Sequence, residues 1–359
     1  MRGFPFFLKE IPPFFAICGL LDWGILKRRQ KNGGDFLRRK SLQTLLLSVF
    51  FAAILFTAAS AKTLIPGGNT IGMKAYAAGL VVTKVEPGSS AERAGLQAGD
   101  VILSANGKHL ESAEALQSIL ASGQPLQIAY SRGGNEKSAL LTPERSEDGY
   151  KAGAFVRDNV AGIGTVTYYD PENGAFGALG HGISEPGGAS LLPITGGEVI
   201  PSSVSGVLKS VAGSAGQLQG EFEPQRVIGR IGKNTPFGVF GEIETPHGKP
   251  MESAEPNEVH PGKAAIYANL DGTDVSEYQI EIVRCYDGNS GGRDLLLRMT
   301  DPKLLERTGG IVQGMSGSPI VQDGKLVGAV THVLVNQPDM GYGIYVDTML
   351  RAAEQRKAA

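Results

Sequence analysis

Two kinds of hydrophobic pattern divide the chain. Residues 41–61 (SLQTLLLSVFFAAILFTAASA) form one run of 21 uncharged positions. About 20 apolar residues carry a helix across a bilayer core. Beyond residue 61 the apolar positions come in short groups separated by turn residues, which predicts strands and short helices.

Between residues 65 and 143 the groups alternate in kind. GLVVTKV (79–85), VILSA (101–105) and LQIAYSR (126–132) read as strands. Pro87-Gly88-Ser89-Ser90 breaks the first and leads into a short helix ending near Gly95. Asn106-Gly107 is a two-residue hairpin turn. ESAEALQSILAS (111–122) places Ala115, Leu116, Ile119 and Leu120 at helical spacing, and Gly123 and Pro125 end it. From 146 to 359 the chain is rich in Gly, Val and Ile with frequent turn signals, which predicts an all-β sandwich or barrel. A helix is expected only at Asp347–Lys357, with a turn at Asp301–Arg307.

Composition sharpens this outline. The 359 residues allow two domains plus extra segments. Glycine is abundant (50 residues) without a collagen period, as many tight turns require. The net charge of −2 argues against a nucleic-acid partner. It conceals an asymmetry: residues 1–40 hold nine Lys/Arg and three Asp/Glu, a net +6, so the part after residue 61 sums to −8. A basic head, an apolar run and an acidic body predict a basic cytoplasmic leader (1–40), a transmembrane anchor or signal segment (41–61) and an extracytoplasmic body. Ala59-Ser60-Ala61 also suits signal cleavage, so anchor and cleaved signal both remain open. Residues 11–25 are apolar, but two prolines and Asp22 make them a poor spanning helix. Cys18 and Cys285 would lie on opposite sides of the membrane, which leaves no disulfide framework. Without HExxH or paired CxxC, neither a metal site nor a cofactor is implied.

The sharpest chemical signal is GGIVQGMSGSPIVQDGKLVGAVTHV (309–333). Gly314-Met315-Ser316-Gly317-Ser318-Pro319 precedes a strand, the Asp323-Gly324 turn and a second strand. The glycines let the backbone fold tightly, so that amide N–H groups converge beside a serine oxygen as an oxyanion hole. Ser316 is the candidate nucleophile, with the Gly314 and Ser316 amides as donors. Gly288-Asn289-Ser290-Gly291-Gly292 looks similar, but Arg293 replaces the expected proline, and Ser290 reads as a hairpin turn. A serine nucleophile needs a base. His109, His247 and His260 sit beside turns, and His332 ends a strand after Ser316. His181, in AFGALGHGI (175–183), is flanked by Gly180 and Gly182 and precedes the serine, which makes it the leading base. Spacing alone does not choose the acid among Asp271, Asp274, Asp287, Asp294 and Asp301.

Two resemblances add to this reading. PGSSAERAGLQAGDVILSANGK resembles PDZ domains of bacterial proteases. That likeness implies a small α+β PDZ domain over 65–143 that takes peptide C-termini as an added strand. Its carboxylate loop would lie in 66–72, with Ile71, Gly72, Met73 and Leu116 at the groove. Gly-x-Ser-Gly-x-Pro with its strand–turn–strand resembles chymotrypsin-like serine proteases, which implies a β-barrel-type peptidase domain over 146–359. The membrane segment, PDZ module, GALGHGI and TDPKLLERTGGIVQGMSGSP together resemble the stage IV sporulation protein B (SpoIVB) peptidase family.

That resemblance implies a serine endopeptidase exported to the space between forespore and mother cell. It would cleave itself and a membrane-bound regulator of an intramembrane metalloprotease, releasing a late sigma factor. It further implies a triad of His181, Asp301 and Ser316. Two rivals stand beside it: a non-catalytic PDZ scaffold at the membrane, and an esterase or amidase using the same groups.

Overall fold

The computed structural model describes residues 61–185, 190–244, 246–287 and 291–355. The leader, nearly all of the 41–61 segment, Cys18 and Ser290 lie outside the described residues. Among the described residues no helix is long and apolar enough to cross a membrane.

The described chain is mainly β, as the short apolar groups require. It opens with β1 (Thr63–Pro66) and β2 (Thr70–Val85), then a short helix α1 (Ser90–Arg93). β3 (Val101–Ala105), β4 (Lys108–His109), α2 (Ala113–Leu120), β5 (Leu126–Arg132) and β6 (Asn135–Leu141) follow. These make a PDZ module whose core holds Leu80, Ile102, Leu110, Leu126 and Ile128. Fully burying each such side chain stabilises by about 1.5–3 kcal/mol. The Ser112 hydroxyl caps α2 by accepting from the Ala115 amide at 3.2 Å.

After the small hairpin β7 (Glu144–Ser146) and β8 (Gly149–Lys151), the long strand β9 (Ala154–Tyr169) runs into β10 (Ala175–Ala178). Next come β11 (Ile194–Leu208), β12 (Gln217–Phe222), β13 (Gly229–Thr235) and β14 (Gly238–Ile243). Pairing runs β2–β9–β10–β14–β13–β11 and returns to β2, which closes a six-stranded ring. Its interior holds Val166, Phe176, Val199 and Val239.

A second closed barrel follows β15 (Met251–Glu252). It contains β16 (Gly262–Asp271), β17 (Asp274–Cys285), β18 (Leu295–Met299), β19 (Pro319–Gln322), β20 (Lys325–Leu334) and β21 (Gln337–Tyr345). Its core holds Ile266, Ile282, Leu295, Leu297 and Ile320, all fully buried. Helix α3 (Pro302–Thr308) precedes β19, and α4 (Val346–Glu354) closes the described chain. Where the sequence suggested only a turn at 301–307, Asp301 caps a two-turn helix, Pro302 opens it and Gly309 (φ 69°) ends it.

The module boundaries differ from the expected 65–143 and 146–359. The first half of β2 lies in the first barrel: Ile71–Ala75 pair with β9 on one edge and β11 on the other. Its second half pairs with β3 in the PDZ module. β9 does the reverse, pairing over Ala154–Arg157 with the PDZ half of β2 before it enters the barrel. Two strands of 16 residues each therefore belong to both modules.

Candidate active site

The nucleophile loop is held by its carbonyls. The Gln313 carbonyl accepts from the Leu218 amide at 2.8 Å, and the Met315 carbonyl from the Ser318 amide at 2.9 Å. In a trans peptide the N–H points opposite to the C=O. Pinning those two carbonyls turns the Gly314 and Ser316 N–H groups the other way, and neither has an acceptor among the described residues. The intervening Met315 amide donates to Val312 at 3.1 Å, and that of Gly317 to Val330 at 2.8 Å. Free and bonded amides thus alternate, and the free pair are the two expected oxyanion donors. Gly314 (φ 99°) and Gly317 (φ 97°) supply the left-handed backbone this winding needs. At Gly317 a Cβ would also lie 2.0 Å from the Thr165 carbonyl oxygen.

Thr165 of β9 ties the two halves of the site together. Its amide donates to the Ser316 carbonyl at 3.1 Å, and its hydroxyl donates to the Gly314 carbonyl at 2.6 Å. Its own carbonyl accepts from the Leu179 amide at 3.2 Å, two residues before His181. Thr167 repeats the pattern one step along the strand, its hydroxyl donating to the Gly317 carbonyl at 2.8 Å.

His181 follows β10 through two consecutive left-handed residues, Leu179 (φ 69°) and Gly180 (φ 68°). A non-glycine residue in that region stores strain, and such strain gathers at functional sites. Gly180 lets this segment press against the second barrel, because a Cβ there would meet Thr331 at 2.8 Å and Ile344 at 2.9 Å. His181 Nδ1 lies 3.0 Å from the Gly182 carbonyl oxygen. That contact favours the Nδ1–H tautomer and leaves Nε2 as the basic atom. Burial lowers the His181 pKa, against the opposing pull of the Gly182 carbonyl.

His181, Gly314 and Ser316 line one cavity of about 240 Å³, with Met73, Ile163, Leu179 and Ile183 as apolar walls. The Ser316 hydroxyl donates to the Thr331 carbonyl at 2.8 Å rather than to His181. The ring of His332 stands 5.3 Å from that of His181, centroid to centroid. Desolvation, then repulsion from His181 and Arg293, lowers the His332 pKa. His109 is exposed on β4, and His260 pairs with Asp323 at 2.9 Å on the surface.

Asp301 is not brought to His181, which corrects the expected triad. One of its carboxylate oxygens accepts from the Lys303 amide (2.9 Å) and the Leu304 amide (3.2 Å), and the other from Gln279 (3.3 Å). It borders a different cleft, with Lys209, Tyr278 and Arg307. Burial raises its pKa, but the amides of Leu304, Gln279 and Lys303 outweigh that and leave it lowered. Asp294, another candidate, is buried at the start of α4 and accepts from the Tyr345 amide at 3.1 Å.

The expected PDZ groove is also displaced. Ile71, Gly72 and Met73 are paired on both edges inside the first barrel, which leaves no free strand edge for a peptide. Met73 instead faces the Ser316 cavity. Leu116 does line a groove, about 410 Å³, but its opposite wall is Lys151–Val156 at the start of β9.

Sequence reasoning passed over two residues that hold the site. One is Thr165, whose signal was the alternation of Thr165 and Thr167 in GTVTYY. The other is Asn234. Its carboxamide oxygen accepts from the Ile183 amide at 2.8 Å, and its nitrogen donates to the carbonyls of Ile183 (2.7 Å) and Leu192 (3.0 Å). No sequence signal marked it.

Two family models match this chain. Residues 148–350 match the family model described as SpoIVB peptidase S55, and residues 81–128 that of a PDZ domain. PDZ and LIM domain protein 3 of Rattus norvegicus is 31% identical over 218 residues, covering 53% of this chain and 58% of that protein. Zinc metalloprotease RasP of Geobacillus kaustophilus is 32% identical over 110 residues, covering 29% of this chain and 23% of that protein. The chain thus spans little more than half the length of these curated relatives, or less. Among solved structures, the PDZ domain of the SdrC-like protein from Listeria monocytogenes matches with a TM-score of 0.21 and 24% identity, covering 22% of this chain and 88% of that chain.

Proposed function

Because the chain belongs to the SpoIVB peptidase S55 family, we propose that it is a serine endopeptidase in which Ser316 attacks the scissile carbonyl and His181 carries the proton. The observation that carries this reading is the pair of acceptor-free amides, Gly314 and Ser316, beside a serine that shares a cavity with a neutral-leaning histidine.

In the resting state the serine proton points at the Thr331 carbonyl. Substrate entry turns the hydroxyl toward His181 Nε2, which accepts the proton as Oγ bonds to the carbonyl carbon. The oxyanion then forms against the Gly314 and Ser316 N–H groups. Each such donor supplies about 3–4 kcal/mol of transition-state stabilisation. His181 next protonates the leaving amine, and water repeats the cycle on the acyl-enzyme. The Gly182 carbonyl, in place of a carboxylate, orients the imidazole. Apart from His181, Gln313 and Ser316 the cavity walls are apolar, which favours a small apolar side chain next to the scissile bond.

By the same reading the 41–61 segment tethers or exports the protein, and its substrates lie outside the cytoplasm. They would include the protein itself and a membrane-bound regulator of an intramembrane metalloprotease in sporulation signalling. A peptide C-terminus would bind the PDZ module between α2 and Lys151–Val156, as an added strand.

The test is peptide-library cleavage by the full chain, wild type against Ser316→Ala. Cleavage by wild type alone supports a peptidase. Ester hydrolysis without peptide cleavage favours an esterase, and neither activity favours the scaffold reading.

A further inference from the structure

The segment after His181 is a short hairpin that reaches the PDZ module. The Leu192 amide donates to the Ile183 carbonyl at 2.9 Å, Ser184 bridges Leu191, and the Glu185 amide donates to the Ser190 carbonyl at 3.0 Å. Asn234 clamps its base through Ile183 and Leu192. Ser190 lies beside the turn between β5 and β6, where a Cβ on Gly133 would stand 3.7 Å from its hydroxyl. Ile183 and Leu192 share one apolar cluster with Val81, Val101 and Leu103 of the PDZ strands.

Glu185 sits at this contact and has no role in the chemistry proposed above. It is only 4% exposed, and its Oε1 has no hydrogen-bond partner among the described residues. Burial raises its pKa, the Gly133 backbone opposes that, and Asp100 adds to the rise. Asp100 is itself buried, with both oxygens held by Arg132 at 2.6 and 2.7 Å. A buried acid is costly to keep unless it is hydrogen-bonded, and the Gly133 backbone supplies such a bond to Glu185. Here it sits where the PDZ turn and the histidine hairpin meet.

We propose that Glu185 is a positioning residue, through which the PDZ module sets the placement of His181. Only three residues separate Glu185 from His181, and Asn234 braces Ile183 between them. A shift of the β5–β6 turn is therefore passed to the imidazole rather than absorbed. Misplacing a catalytic group by about 1 Å can cost roughly 100-fold in rate.

This rests on the peptidase reading, and the test separates the two. Full-length wild type, Glu185→Ala and Glu185→Gln would be compared in detergent with a saturable serine phosphonate and by hydrogen exchange. Glu185→Ala is expected to lower the maximal labelling rate by about tenfold or more, with half-saturation unchanged. It should also speed exchange over both 181–185 and the turn at 132–135. Glu185→Gln, which keeps the length and shape of the side chain and a carbonyl acceptor, should stay close to wild type. The proposal is overturned if Glu185→Ala leaves rate and exchange unchanged, or if its exchange rises everywhere in step with a lower melting temperature. If wild type does not label at all, the peptidase reading fails, and the exchange pattern still decides whether Glu185 joins the two elements.

Discussion

Thr165 holds Ser316 by a backbone hydrogen bond of 3.1 Å and, through its hydroxyl, holds Gly314 at 2.6 Å. The residue that fixes the nucleophile loop therefore belongs to the barrel that carries His181. Thr165→Val keeps the shape and leaves the Gly314 carbonyl without its donor. Such a loss costs about 1–3 kcal/mol. The expected outcome is a fall of about tenfold or more in kcat/KM, since each 1.4 kcal/mol is tenfold. Steady-state kinetics on a peptide substrate would check it, and an unchanged kcat/KM would contradict it.

Gly317→Ala should be far more damaging than its size suggests. The new Cβ would lie 2.0 Å from the Thr165 carbonyl oxygen at a residue with φ 97°. Backbone strain of this kind costs on the order of 1–3 kcal/mol before the clash is counted. A lowered melting temperature together with lost labelling is expected. Wild-type values for both would mean the loop is wound differently.

Asp301→Asn separates a cap from a triad acid. Loss of a triad carboxylate to the amide lowers kcat by about 10⁴. Loss of an N-cap costs about 0.5–2 kcal/mol of stability, and asparagine still caps well. The account expects a small drop in melting temperature at neutral pH and labelling within about threefold of wild type. Because the folded-state pKa of Asp301 is lowered, the stability it adds is present above the unfolded-state value. That contribution is lost as pH falls through the folded-state value. The mutant should therefore narrow its gap to wild type in acid.

The pH profile tests His181 directly. Burial lowers its pKa from the model-compound value of 6.5. The base is active when neutral, so labelling should rise with pH along a limb whose midpoint lies below 6.5 and then level off. A midpoint above 6.5 would point to a nearby carboxylate holding the imidazolium.

Much of the fold was legible because it is local. β3 and β5 fall on VILSA and LQIAYSR, whose alternation and flanking turns need no distant partner. The Ser316 loop was legible for the same reason, since its glycines and the following hairpin lie within 25 residues. The misreadings concern distant pairing. Ile71–Met73 look like an edge for a peptide until Gly162–Gly164 and Val199–Pro201 arrive on either side. Asp301 carried two signals at once, a motif match and an Asp-Pro start followed by Gly309, and the capping signal describes its contacts. Glu185 and Asn234 act on backbone atoms brought to them by folding, which no spacing records.

The central claim is that Ser316 is the nucleophile, and intact-mass analysis after phosphonate treatment of the full chain tests it most directly. Wild type, Ser316→Ala and Ser290→Ala would be treated side by side. The account predicts one adduct per chain in wild type and Ser290→Ala, and none in Ser316→Ala. An adduct that survives in Ser316→Ala, or is lost only in Ser290→Ala, would contradict it.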